Sequence, residues 1–133
     1  MSIFTGSGVA IVTPFKQDKT IDFDAFEKLI NFQIENKTDA IIVCGTTGEA
    51  STLTEEEHIE AVKFCVEKTA KRVPVIAGAG SNSTMRSLSL CKKCEEVGVD
   101  GLLVITPYYN KTTQNGIINH YKILAENVNL PII

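Results

Sequence analysis

The chain predicts an α/β fold of parallel strands joined by crossover helices, and three observations carry that prediction. Short apolar, β-favouring runs begin near Val9, Ala40, Val73, Gly101 and Leu130, recurring at about thirty residues, the length of a βαβ module. Between the runs, apolar residues follow the three- and four-residue steps of a helix. No low-complexity linker or shift in composition interrupts the alternation, so residues 1–133 read as one domain with no internal boundary. Strict alternation implies right-handed crossovers in either an open doubly wound sheet or a β/α barrel, and spacing alone does not choose between them. Eight units of a (β/α)8 TIM barrel take roughly 250 residues. Four units and a stub have the size of the first half of one, which would leave apolar strand faces and edges for another chain or further sequence to cover.

Each element has a local reason. Residues 8–13 form an apolar run stopped by Pro14, too apolar for a strand with one wet face, so a buried strand is expected. Asp22 can cap a helix whose inner face is Phe23, Phe26, Leu29, Ile30 and Ile34. Residues 40–44 make the second strand, and Thr54-Glu55-Glu56-Glu57 fits a capping box opening a helix with Ile59, Val62, Cys65 and Val66 inward. The third unit is a strand over 73–77, a turn at Gly78-Ala79-Gly80, and a helix capped between Ser81 and Thr84. Its inner face is Leu88, Cys91, Cys94 and Val97, and Gly98 ends it. The fourth strand spans 101–105, and a helix over 114–126 is expected to bury Ile117, Ile118, Tyr121 and Leu124. Leu130-Pro131-Ile132-Ile133 begins a fifth strand.

Composition narrows the function classes. With 44% hydrophobic residues and a net charge of -3, the chain has a substantial core and no basic cluster suited to nucleic acid. No segment approaches membrane-spanning length, and the start, Met1-Ser2-Ile3-Phe4-Thr5-Gly6, lacks the pattern of a leader, so a cytoplasmic location is expected. Cys44, Cys65, Cys91 and Cys94 lie in apolar-periodic segments and suit buried, reduced thiols. Cys91 and Cys94 form a CxxC in mid-helix, away from the helix N-terminus that a redox pair uses. His58 and His120 do not complete a metal site with them, and neither a metal nor a cofactor is expected.

Both parallel architectures bind ligands beyond the carboxyl ends of their strands. There the sequence places Gly45-Thr46-Thr47-Gly48, whose two hydroxyls and backbone N–H groups can receive a small carboxylate or can satisfy the loop's own backbone. Tyr108 and Tyr109 follow Pro107 after the fourth strand, where a phenol can relay a proton or serve as a packed aromatic. Residues 78–83 match two of the three glycines of a dinucleotide fingerprint. Ser83 replaces the third, and Asp100 precedes its strand instead of ending it, so the match is weak.

Phe4-Thr5-Gly6, Ala10-Ile11-Val12-Thr13-Pro14, Gly45-Thr46-Thr47-Gly48-Glu49, Pro74-Val75-Ile76-Ala77-Gly78 and above all Thr106-Pro107-Tyr108-Tyr109-Asn110-Lys111 resemble the dihydrodipicolinate synthase family, in order and over the whole chain. Sialic acid lyases of the wider pyruvate-aldolase group resemble it in fold but usually carry Ser-Thr in the glycine loop and a different aromatic loop. The resemblance implies a (β/α)8 barrel that condenses pyruvate with L-aspartate-4-semialdehyde in lysine and diaminopimelate biosynthesis, through a Schiff base on a lysine. It implies a homo-oligomer, tetramer or dimer. Carried over by motif, Thr46 joins a proton relay with Tyr109, Thr47 binds the pyruvate carboxylate, and Tyr109 reaches into a neighbouring subunit's site. The family's second relay tyrosine and its imine lysine fall beyond the point at which these residues stop, inside strand five. The lysines present sit in helices, helix ends or polar loops, without the desolvated strand-end pocket that keeps an amine neutral. These 133 residues alone are accordingly expected to be inactive.

The resemblance also implies positions equivalent to a lysine feedback site: Ser51, Glu55, His58, Gly80, Asn82, Arg86 and Tyr108. Lysine-sensitive members typically carry a glutamate where Arg86 stands and a histidine where Glu55 stands. A cation at Arg86 repels the effector's ammonium, so insensitivity to lysine is expected. Two alternatives are another pyruvate-dependent aldolase of the same wider family, of the sialic acid lyase type, and, from a different class, a non-catalytic scaffold in which two half barrels cover each other's open edges.

Overall fold

A computed structural model describes residues 3–133; Met1 and Ser2, part of the start considered above for a leader, lie outside the described residues. Strands and helices alternate as β1 (Gly8–Ala10), α1 (Phe23–Glu35), β2 (Ala40–Val43), α2 (Glu55–Thr69), β3 (Val75–Gly78), α3 (Thr84–Glu96), β4 (Gly101–Leu103) and α4 (Gln114–Asn127). All pairings are parallel and the strand order is β1-β2-β3-β4, with Gly8 opposite Ala40, Ile42 opposite Ile76 and Gly78 opposite Leu103. A doubly wound sheet reverses its order at a switch point, whereas a barrel keeps the order of the chain. Next to β4, the Leu102 N–H donates to Pro131 O at 3.0 Å and the Ile133 N–H donates to Leu102 O at 2.8 Å, which puts residues 131–133 in the place of a fifth parallel strand. The architecture is the N-terminal half of a (β/α)8 barrel.

The helices start where side chains satisfy their first N–H groups. Asp22 Oδ1 accepts from Ala25 N, and Ser83 Oγ accepts from Arg86 N. At α2 the capping box is complete: Thr54 Oγ1 accepts from Glu57 N at 3.2 Å while Glu57 Oε2 accepts from Thr54 N at 2.8 Å. The helices bury Phe26, Ile30, Val62, Cys65, Leu88, Cys91 and Leu124 against Ile41, Val43, Val75, Ala77 and Leu102 of the sheet. The four cysteines are buried and free, and burial pushes the Cys44, Cys65 and Cys94 thiols up to about 12.

Three expectations need correction. The first strand is an edge strand with one open face: Val9 and Ile11 pack on the helix side, while Ala10 and Val12 on the other side are exposed. Its continuous apolar run signals the interior of a barrel, and these residues line only part of one. Ile118 is 61% exposed on α4, where the inward positions go to His120 and Leu124. On α2, Ile59 and Val66 are only partly buried, and His58 and Ala61 fill the inner face instead. No helix of the described residues is long and apolar enough to cross a membrane.

Candidate functional site

The carboxyl ends of β2, β3 and β4 open onto a cavity of about 520 Å³. The Gly45–Gly48 stretch forms its rim after β2. Gly48 N–H donates to Gly45 O at 3.1 Å and Glu49 N–H donates to Thr46 O at 3.0 Å, winding the segment into a tight turn. Cys44 and Glu49, on either side of that turn, have left-handed φ values of 52° and 56°, a conformation that non-glycine residues adopt sparingly. Thr46 and Thr47 are both exposed, and among the described residues neither hydroxyl has a hydrogen-bond partner. Of the two uses open to these hydroxyls, local satisfaction of the backbone is not the one adopted. Thr46 lines the cavity and Thr47 does not.

A residue assigned no role from sequence holds the turn in place. Thr13, 4% exposed at the end of the β1 segment, donates its hydroxyl to Gly48 O at 2.7 Å. A Cβ on Gly48 would lie 3.1 Å from Ile11 O and 3.2 Å from Cys44 N, so the turn is pressed against two strands. Thr13 was visible in the sequence only as the residue before Pro14; its partner lies 35 residues away.

The Gly78 and Gly80 positions have a steric explanation independent of nucleotides. A Cβ on Gly78 would sit 2.0 Å from Cys44 O, and one on Gly80 would sit 2.6 Å from Ile105 N. Both glycines admit a neighbouring backbone, which accounts for both glycines of the partial dinucleotide fingerprint.

Tyr108 and Tyr109 close the cavity's other side from the loop after β4. Tyr109, although it borders the cavity, is 99% exposed, and its backbone is left-handed with a φ of 65°. Between the two rims lies the α2–α3 side of the cavity, carrying Ser51, Glu55, His58 and Arg86. His58 Nε2 lies 2.9 Å from Gly78 O; a carbonyl only accepts, so Nε2 carries the proton and Nδ1 is left as an acceptor. Burial holds the His58 imidazole below its ordinary value, keeping it neutral. Glu55 forms an ion pair with Lys93 of α3, and that hydrogen bond holds its carboxyl below the usual range. Sequence reading missed Lys93, because Glu55 and Lys93 meet only when α2 and α3 pack side by side. Asn82 is drawn away to the tyrosine loop, donating to Asn110 Oδ1 at 3.3 Å. Among the described residues no lysine lines the cavity. Among the described residues no cluster of three or more His, Cys, Asp or Glu is placed to hold a metal ion.

Comparison with known proteins fits this geometry. Residues 3–133 match the model of the dihydrodipicolinate synthetase family. The chain is 59% identical over 133 residues to a 4-hydroxy-tetrahydrodipicolinate synthase of Clostridium tetani and 55% identical to one of Caldicellulosiruptor bescii, covering all of this chain and 45% of each relative. It superposes on the crystal structure of dihydrodipicolinate synthase from Aquifex aeolicus with a TM-score of 0.94 at 50% identity, covering 97% of this chain and 44% of that one. The chain thus spans less than half the length of these relatives.

Proposed function

The chain belongs to the dihydrodipicolinate synthetase family, and from that premise we propose that the whole protein is a lyase condensing pyruvate with L-aspartate-4-semialdehyde, in the cytoplasm and without a cofactor. The observation that carries the reading is the hydroxyl pair Thr46–Thr47, unpartnered among the described residues and held at the carboxyl end of β2 by the Thr13–Gly48 bond, with Thr46 lining the same cavity as the tyrosine loop. In a barrel, this is where a substrate sits.

Thr47 offers its hydroxyl and nearby backbone N–H groups to the pyruvate carboxylate. Thr46 and Tyr109 pass protons during imine formation and breakdown, with Tyr109 contributed to a neighbouring subunit. Its almost complete exposure and left-handed backbone support a ring that finds its partner outside its own chain. The protein is then a homo-oligomer, and residues 1–133 form one domain-scale half of its barrel. The imine lysine is supplied from outside these residues, consistent with lysines here that pair with Glu27, Glu55, Glu67, Asp100 and Glu126 on the helix side. Arg86 in the feedback position makes the protein insensitive to lysine.

In the whole protein, Thr46→Val is expected to lower kcat on the order of a hundredfold or more, the usual scale for a proton-transfer group, and Thr47→Val to raise KM for pyruvate. Wild-type kcat/KM in both variants would refute the assignment. Incubating the 133-residue chain with pyruvate and borohydride should give no mass addition; a stoichiometric adduct would refute the inactivity of this half.

A further inference from the structure

We propose that Asn110 is a positioning residue for the reaction: paired with Asn82 across the loops that follow β3 and β4, it holds the backbone conformation that presents Tyr109. This rests on the reading of Tyr109 as a group that passes protons. Tyr109 sits at the centre of a three-residue turn, in which the Asn110 N–H donates to Tyr108 O at 2.8 Å and Tyr109 between them has a φ of 65°. An i to i+2 bond closed over a positive φ is the rare, strained hand of the γ-turn. A bulky side chain does not adopt it unaided, and it persists only where its surroundings over-determine it. No helix or strand does so, because residues 104–113 lie between β4 and α4.

The Asn110 side chain supplies the constraint. Its Oδ1 accepts from Asn82 Nδ2 at 3.3 Å, and its Nδ2 donates to Asn82 O at 3.4 Å. Among the described residues these are the only hydrogen bonds joining residues 106–112 to a distant part of the chain. The pair uses both ends of one amide, a donor and an acceptor, which an ionised aspartate cannot supply. Asn82 is itself anchored. The Ser83 N–H donates to the Oγ of buried Ser81 at 3.2 Å, and Thr84 Oγ1 lies 2.9 Å from His120 Nδ1, fastening the start of α3 to α4. Just before it, a Cβ on Gly80 would sit 2.6 Å from Ile105 N, so the two loops run side by side. The Asn82–Asn110 bonds are exposed and add little to global stability; what they fix is local.

In the whole protein, Asn110→Asp keeps the shape of the side chain, loses the donor and turns a carboxylate toward the Asn82 carbonyl. With the turn released, kcat should fall at least about tenfold, since misplacing a reacting group by about 1 Å can cost about a hundredfold. The KM for pyruvate should stay within about twofold, because the Thr47 cradle is untouched. Asn82→Ala, which removes one bond from the other side of the pair, should reproduce part of the kcat loss, and both variants should melt as the wild type does. Tyr109→Phe removes the hydroxyl that the turn presents, so adding Asn110→Asp to it should lower kcat by no more than about twofold further. Wild-type kcat in Tyr109→Phe would overturn the relay reading and this inference with it. A low kcat in Tyr109→Phe beside a wild-type kcat in Asn110→Asp would overturn the inference alone. So would a change confined to KM, a kcat that falls only in step with the melting midpoint, or losses that multiply in the double variant.

Discussion

Replacing Thr13 with valine removes one hydroxyl and leaves volume and β-branching nearly unchanged, which isolates the bond that holds the Gly45–Gly48 turn. In the wild type the hydroxyl donates to Gly48 O at 2.7 Å in a buried setting, and among the described residues no backbone N–H donates to that carbonyl. The substitution leaves a buried acceptor without a donor, at a cost of about 1–3 kcal/mol, while the added methyl returns about 0.8 kcal/mol of apolar burial. The net expectation is a loss of about 0.2–2 kcal/mol, which moves the urea midpoint down by about 0.1–1 M. Thr13→Ser keeps the donor and loses a methyl, with a similar global cost, so stability alone does not separate the two. Amide exchange does. Gly48 and Glu49, whose N–H groups close the turn, should lose protection in Thr13→Val and retain it in Thr13→Ser. Unchanged protection in the valine variant, or equal loss in both, would refute the claim that this hydroxyl positions the turn.

Gly78→Ala should cost more than about 3 kcal/mol, because its Cβ would meet the Cys44 carbonyl at 2.0 Å and both partners are backbone; a folded variant with a near-wild-type melting curve would contradict the contact. The thiols of Cys44, Cys65 and Cys94, raised to about 12, should resist iodoacetamide at pH near 8 until denaturant is added, as read by intact mass. His58 is held below the ordinary imidazole value of 6.5 when folded, so below that pH the unfolded chain binds protons that the folded chain refuses. Stability should therefore be full above 6.5 and fall as the pH drops toward the folded value. His58→Gln should flatten this slope, leaving the part due to His120, which burial also holds down; an undiminished slope would exclude His58 as its source.

Much of the fold was legible because helix starts and strand runs are local. Asp22, Thr54 and Ser83 cap where their residue types and neighbours say they should, and the predicted crossover spacing became sequential parallel pairing. What escaped was set by partners distant in sequence. Ile118 has the helical period of a core residue, yet its side of α4 is left open, and period alone does not say whether a neighbour arrives. At the site, the glycine loop and the tyrosine pair could be located from their positions after apolar runs. Thr13 and Lys93 could not, since each acquires its role from a residue more than thirty positions away.

The sequential strand order also shapes how the chain is able to fold. Each strand pairs with the one immediately before it, so every pairing closes a loop of similar length, about thirty residues, with a helix inside it that shortens the search. Loop-closure entropy grows with the logarithm of length, so no later step is more demanding than the first. Synthesis from the N-terminus can then add βα units one at a time onto an existing parallel edge, with contact order kept low for a parallel sheet.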